Sequence, residues 1–139
     1  MTRRTVVIAA TLAATVLSAV NTRAQAPRPR LVAPVRGEAT ISHLAPNTKA
    51  TTSQVVTTIQ IKNTSALAIA GLKVEEFWYD SANNLLPGDS QTVRAPIQPG
   101  AIVTVTLTTP RTPQMTRNQY RFSHANGTIK ATLAKTLEE

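Results

Sequence analysis

The chain has 139 residues, a formal net charge of +8 and no cysteine. Without cysteine it forms no disulfide, holds no metal through a thiolate and carries no lipid on a cysteine. A chain of this size forms one domain that buries about 65% of its unfolded surface, so it needs neither disulfides nor metals to fold.

The N-terminal segment has the pattern of a bacterial-type signal peptide. Arg3 and Arg4 form a positive start, and residues 5–20 are apolar or small without a single charge, which is the order found in such peptides. The uncharged run is shorter than the ~20 residues of a membrane-spanning helix. Its length therefore disfavours the alternative of an uncleaved anchor, and export is the expectation.

Two cleavage positions fit the small-x-small rule, after Ala24 or after Ala26. We favour Ala24, because the other cut would place Pro27 directly after the scissile bond. The predicted organisation is a signal peptide over residues 1–24, a Pro/Arg-rich linker over residues 25–34 and one domain over residues 35–139. The mature protein is expected outside the cytoplasm, periplasmic or secreted, with no stable membrane anchor.

The basic residues of the mature chain favour solubility over a polyanionic partner. Removing the signal peptide takes away three arginines and no acid, which lowers the formal charge from +8 to +5. Four of the mature basic residues, Arg28, Arg30, Arg36 and Lys49, lie near the N-terminal end, and the remainder are scattered and form no stripe of the kind that binds nucleic acid. We therefore expect no nucleic-acid partner.

Short alternating runs rich in Val, Ile and Thr, separated by turn residues, indicate an all-β fold. Residues 54–62 and 101–108 show the clearest period of two. The other predicted strands cover residues 35–43 and 68–79, an irregular or edge strand over residues 85–95, and two strands that flank Asn126-Gly127. Turns are predicted at Pro46-Asn47, Asn63-Thr64-Ser65, residues 80–84 and Pro99-Gly100.

The aromatic segment over residues 68–79 has two alternative registers. Leu72 and Trp78 share one phase of the alternation, and Phe77 and Tyr79 share the other. Either a bulge near Glu75-Glu76 shifts the register by one, or the strand is central and covered on both faces. We favour the bulge, because a strand covered on both faces would bury a glutamate.

The dipeptide Asn126-Gly127 predicts a two-residue hairpin turn in which both residues have positive φ. Ala125 then pairs with Thr128. This register places the apolar side chains of both strands on one face, with His124 opposite Ile129, Phe122 opposite Ala131 and Tyr120 opposite Leu133.

About seven short strands joined by tight turns predict an immunoglobulin-like antiparallel β-sandwich. A small open barrel is the alternative. The absence of a Cys pair around Trp78 excludes the antibody type of domain.

Four short motifs between residues 55 and 107 occur in the order of a known family: Ile59-Gln60-Ile61-Lys62-Asn63, Leu72-Lys73-Val74, Tyr79-Asp80 and Gln98-Pro99-Gly100. The segment resembles the FxLYD family of bacterial extracytoplasmic domains. Counted back from Tyr79-Asp80, the family's Leu position holds Trp78 and its Phe position holds Glu76. The resemblance implies an immunoglobulin-like sandwich without catalytic residues, and it assigns no functional residue.

No grouping of residues indicates catalysis, a cofactor or a metal. His43 and His124 are the only histidines, and neither has a carboxylate at metal-ligand spacing. Glu75 and Glu76 are neighbours in a strand, so they point to opposite faces and do not form the paired carboxylates of a hydrolase unless a bulge redirects one of them. We therefore expect a non-enzymatic protein without a cofactor.

Phe77, Trp78 and Tyr79 form the candidate interaction surface. Three consecutive strand residues do not face the same core, so at least one points outward, where it covers a sheet edge or contacts a partner. The first functional hypothesis is a binding module of the cell envelope with a protein or glycan partner. The alternatives are an assembly protein that pairs through the edge of the strand over residues 85–95, and an enzyme whose pocket is not visible in the sequence.

Overall fold

The computed structural model describes residues 31–138, which contain eight β-strands and no helix. The strands are β1 (Ala39–His43), β2 (Asn47–Ala50), β3 (Gln54–Asn63), β4 (Leu72–Tyr79), β5 (Leu85–Val93), β6 (Ile102–Pro110), β7 (Arg117–His124) and β8 (Gly127–Leu133). The all-β prediction is therefore confirmed. The predicted signal peptide, residues 1–24, lies outside the described residues, as do residues 25–30 of the predicted linker. Within residues 31–138 there is no helix that could span a membrane.

The eight strands form one mixed sheet that curls. β3 pairs antiparallel with β6 along one edge and with β1 and β2 along the other. From β1 the sheet continues through β8, β7 and β4 to β5. Among the strand pairs of the described residues, β1–β8 is the parallel one. The first strand is thus paired with the last.

The hydrophobic core lies inside the curl, because alternation directs every second side chain of each strand toward it. The inner face of β3 consists of the five buried residues Val55, Thr57, Ile59, Ile61 and Asn63, which confirms the predicted period of two. One cluster joins residues of β3, β4 and β6, namely Ile59, Ile61, Leu72, Val74, Val105 and Leu107. The removal of these side chains from water stabilises the curled sheet.

The region over residues 35–50 differs from the predicted strand and turn. The strand predicted over residues 35–43 begins only at Ala39, because Gly37 has a φ of 91° and redirects the chain before it. Pro46 has no N–H and interrupts the pairing with β3. The chain then resumes as β2 along the same edge of β3, so the turn predicted at Pro46-Asn47 is wrong.

β4 keeps its alternation over its whole length, so the register shift predicted within it is wrong. Its pairs with β7 run without interruption. A shift does occur against β5, between the pairs of Glu76 and Trp78, and the extra residue there belongs to β5 at Pro87-Gly88. A Cβ on Gly88 would lie 1.9 Å from the carbonyl oxygen of Glu76, so only glycine fits this bulge. Glu76 therefore faces the core.

The hairpin between β7 and β8 exists, but its register differs from the predicted one. The turn residues are Ala125-Asn126, and Ser123 pairs with Thr128. Neither turn residue has a positive φ, so the predicted turn type is wrong. β8 leaves β7 after two pairs and continues in parallel along β1, ending at the pair of His43 with Leu133.

Contacts with the segment before β1 explain this register. The Gly37 N–H donates a hydrogen bond to the Asn126 carbonyl oxygen at 3.0 Å. Nε2 of His124 donates to the Gly37 carbonyl oxygen at 2.7 Å. The backbone of Gly127 passes so close to Gly37 that a Cβ would lie 2.1 Å from the same oxygen. These long-range contacts outweigh the local turn preference of Asn126-Gly127.

Candidate functional site

The three consecutive aromatic residues of β4 divide between the two faces of the sheet. Phe77 and Tyr79 point outward and are paired with Gln119 and Arg117 of β7. Trp78 shares the inner face with buried residues of β4. The predicted interaction surface is therefore not one surface, since it consists of two outer rings and one inner ring.

The two outer rings lie beneath arginine side chains of β7. Cζ of Arg117 is 4.4 Å from the centre of the Tyr79 ring, and Cζ of Arg121 is 5.0 Å from the centre of the Phe77 ring. Leu85 of β5 lies beside them with 63% of its surface exposed. We call these five residues the aromatic–arginine face. A shallow groove of about 290 Å³ runs along it.

Ion pairs and a tight turn hold the two arginines in place. Glu75 accepts a bond from Lys73 at 2.9 Å and lies 3.8 Å from Arg121. Nη2 of Arg117 donates to the side-chain oxygen of Asn83 at 2.8 Å. Cation–π contacts at exposed sites contribute only ~0.5–1 kcal/mol each. Each guanidinium group thus has a polar contact in addition to its aromatic ring.

The turn that carries Asn83 is built around Asp80. It confirms the turn predicted over residues 80–84. One oxygen of Asp80 accepts the backbone N–H groups of Ala82 and Asn84, and the other accepts the Asn84 amide. These hydrogen bonds, the Asn84 side chain first, lower the pKa of Asp80. Asn83 adopts a φ of 66°, which asparagine tolerates.

The inner face of the same strand carries a buried carboxylate. Glu76 is 2% exposed, and four side chains donate hydrogen bonds to it: Thr57 at 2.9 Å, Asn118 at 3.1 Å, and Thr109 and Tyr120 at 3.2 Å each. Both ion pairs among residues 31–138 involve Glu75 and leave Glu76 without a cation. Neutral donors therefore replace the water that burial removes.

Alternation alone could have placed this carboxylate in the core. Glu76 has the phase of Leu72 and Trp78, and a strand without a bulge directs all three inward. Thr57 likewise shares the phase of its buried neighbours in β3. The sequence does not show that these threonines and the carboxylate meet, because the pairing of β3 with distant strands decides it.

Tyr120 is the second titratable side chain in the group around Glu76. Burial raises the pKa of its phenol above the ordinary value of 10.0, and the charge of Glu76 adds to the rise, while hydrogen bonds with Thr48 and Thr57 oppose it. Its hydroxyl accepts from Asn118 at 2.7 Å and donates to Glu76. The folded state therefore favours the neutral, protonated form of the Tyr120 phenol.

This pKa predicts a loss of stability in alkaline solution. Above about pH 10 the unfolded chain releases the phenol proton while the folded chain keeps it, so the free energy of unfolding falls as the pH rises. Urea unfolding between about pH 9 and about pH 11 should show this fall. Tyr120→Phe should flatten it, whereas Tyr79→Phe should not. Equal slopes for the two variants would contradict the prediction.

The two histidines have separate structural roles. Nδ1 of His43 lies 2.9 Å from the Leu44 carbonyl oxygen, and its ring is stacked at a tilt on Phe122, with ring centres 5.1 Å apart. His124 is buried and binds the Gly37 carbonyl oxygen instead. In the described part of the chain, no three His, Asp or Glu side chains gather as metal ligands would.

Comparison with known proteins gives no match to a family model and no match to a curated protein.

Proposed function

We propose that the chain is an exported, non-enzymatic protein whose single domain is an immunoglobulin-like β-sandwich. The strand neighbours support this architecture. β1–β3, β3–β6, β4–β7 and β7–β8 correspond to the A–B, B–E, C–F and F–G neighbours of that fold. β5 beside β4 then takes the place of the additional C′ strand. The FxLYD resemblance implies the same fold.

The proposed role is that of an interaction module in the cell envelope. The observation that carries it is the aromatic–arginine face, in which two outward rings each lie under a guanidinium group. Tyr and Arg are enriched among the residues that dominate binding energy in protein interfaces. Around this face, the three cations Lys73, Arg117 and Arg121 outnumber the two carboxylates, Glu75 and Asp80 of the turn that follows Tyr79. The partner that fits is a protein surface with acidic side chains.

Two exposed leucines supply a matched test of this surface. Leu85 lies on the aromatic–arginine face and is 63% exposed, whereas Leu133 lies at the end of β8 and is 64% exposed. The protein is used as bait against envelope and culture-supernatant extracts, and the captured partner is then titrated in purified form. Leu85→Ser should weaken binding at least about fivefold, because a partner would cover its apolar surface, and Leu133→Ser should leave binding unchanged.

The Arg117→Gln variant and a series of salt concentrations test whether the partner is acidic. Binding should weaken in the variant and with increasing ionic strength, because exposed charges are screened. Equal binding by Leu85→Ser and Leu133→Ser would show that the aromatic–arginine face is not the binding surface. If the captured species is a glycan and its binding does not change with salt concentration, an acidic protein is rejected as the partner.

The alternative of assembly through the edge of β5 has less support from the geometry. Pro87 offers no N–H, and its bulge distorts the edge. Asp89 accepts the backbone N–H of Thr108 in β6 at 2.8 Å, so β5 already contacts the neighbouring strand edge. A further strand would have to displace this contact.

A further inference from the structure

One edge of β7 is paired along its whole length and the other is not. On the side of β4, the pairs run from Arg117 to Ser123 without interruption. On the side of β8, only Ser123 and His124 are paired, because β8 then leaves β7 and runs along β1. Within residues 31–138, no strand therefore lies beside this second edge from Arg117 to Phe122.

The register shows which backbone groups this edge offers. The two-residue turn Ala125-Asn126 lies between His124 and Gly127, so these two residues exchange backbone hydrogen bonds. Along a strand, every second residue directs its N–H and C=O toward the same edge. Asn118 and Tyr120 have the phase of His124, and within residues 31–138 their N–H and C=O groups have no backbone partner on that side. Neither residue is buried, so an added strand could bond to both.

The side chains of β7 define the charge that such a strand would meet. Arg117 and Arg121 lie four residues apart on the outer face, with Gln119 between them, and all three are exposed. Side chains directly opposite on neighbouring strands lie within about 4.5–5.5 Å of each other, and opposite charges there attract. A strand with two acidic side chains four residues apart would therefore place one opposite each arginine.

A second copy of this chain does not supply such a strand through β7. β7 contains two arginines and no acidic residue. Antiparallel pairing of two β7 strands centred on Gln119 would set Arg117 of each copy opposite Arg121 of the other, and like charges in that position destabilise a sheet. The charge thus favours a different protein as the source of the strand.

We propose that the partner of the aromatic–arginine face binds as an extended acidic segment that adds to β7 as an antiparallel strand. Backbone hydrogen bonds to Asn118 and Tyr120 supply affinity, and the alternate side chains that face Arg117 and Arg121 supply specificity. The antiparallel direction is the more stable one per residue. This inference rests on the proposed function, because the two arginines belong to the aromatic–arginine face.

A synthetic peptide, acetyl-Thr-Glu-Val-Thr-Val-Glu-Thr-amide, tests the proposal without a captured partner. When its central threonine lies opposite Gln119, its two glutamates lie opposite Arg117 and Arg121. The N–H groups of its two valines then point toward β7, and the N–H of the central threonine points away. N-methylation of both valines therefore removes the donors to β7, and N-methylation of the central threonine is the matched control.

Amide hydrogen exchange of the full chain measures the pairing at single residues. Saturating peptide should slow exchange at the Asn118 and Tyr120 amides at least about fivefold, because each gains an acceptor. The amides of Gln119 and Arg121 point toward β4 and should exchange as before. The valine-methylated peptide should bind at least about tenfold more weakly than the parent peptide, and the threonine-methylated peptide should bind like the parent.

Two further comparisons test the role of charge. A peptide with lysine in place of both glutamates should bind at least about tenfold more weakly, because like charges then face each other. Arg117→Gln should weaken binding of the acidic peptide by about two- to fivefold. Arg94→Gln removes an exposed arginine that follows β5, and it should bind like the wild type.

Three results would overturn the proposal: no saturable protection of the Asn118 and Tyr120 amides, equal binding by the two methylated peptides, or a dimer of the protein alone in which these amides are already protected. The last result would make a second copy the occupant. Equal binding by the methylated peptides, together with weaker binding by Arg117→Gln, would reject strand addition and leave the aromatic–arginine face as a binding surface. Partner capture that is unchanged in Leu85→Ser would reject the proposed function instead.

Discussion

Replacement of Glu76 by glutamine is expected to lower the free energy of unfolding by about 2–4 kcal/mol. The four side chains around this carboxylate all donate hydrogen bonds to it. A glutamine has one acceptor oxygen and places an NH₂ group, itself a donor, against some of them. At least one buried donor then lacks a partner. Urea unfolding at neutral pH, analysed with a common m-value, measures the effect.

Glu75→Gln is the matched control, because the same substitution then occurs one residue away on the outer face. Its ion pairs with Lys73 and Arg121 are partly exposed, and such pairs contribute at most about 1 kcal/mol. Equal losses in the two variants would show that the buried cluster does not stabilise the fold as described.

Gly127→Ala is expected to cost about 3 kcal/mol, the upper end of the range for overpacking. The new Cβ would lie 2.1 Å from the carbonyl oxygen of Gly37 and 2.6 Å from its carbonyl carbon. Both are backbone atoms and do not rotate away as a flexible side chain would. The segment before β1 and the start of β8 must therefore separate, and hydrogen exchange at the amides of β1 should accelerate.

Gly100→Ala is the control variant, because it introduces backbone strain without the steric clash expected in Gly127→Ala. Gly100 has a φ of 78°, but a Cβ there would meet nothing within 4 Å. The left-handed conformation costs a non-glycine residue about 1–2 kcal/mol, so this variant should lose less stability and leave the exchange of β1 unchanged. A loss in Gly127→Ala no greater than that in Gly100→Ala would contradict the close approach.

The elements that were predictable from the sequence are those set by local alternation. β3 and β6 each bury one face, and their period of two is visible residue by residue. The turn at Pro99-Gly100 is present for the same local reason, with Gly100 in the left-handed region. In these elements local preference and tertiary packing agree.

The wrong predictions arose where a distant contact decided the outcome. Asn126-Gly127 has the local chemistry of a hairpin turn, yet hydrogen bonds to Gly37 move the turn by one residue. A glutamate side chain disfavours a core position, so sequence reasoning favours a bulge that turns Glu76 outward. Its burial depends on Thr57 and Thr109, which lie on strands that only the pairing of the sheet brings close. The aromatic–arginine face likewise depends on the pairing of β4 with β7.

The parallel pairing of β1 with β8 has a consequence for the time course of folding. Ala39 pairs with Ile129 and His43 with Leu133, so the first strand, which also pairs with β3, gains its second neighbour only when the last strand exists. Contacts between such distant parts of a chain slow folding, because much entropy is lost before they form. A growing chain that still lacks β8 has no complete sheet. The sheet is therefore completed only after the last strand has been synthesised, and the pairing of β1 with β8 is expected to be among the last contacts to form.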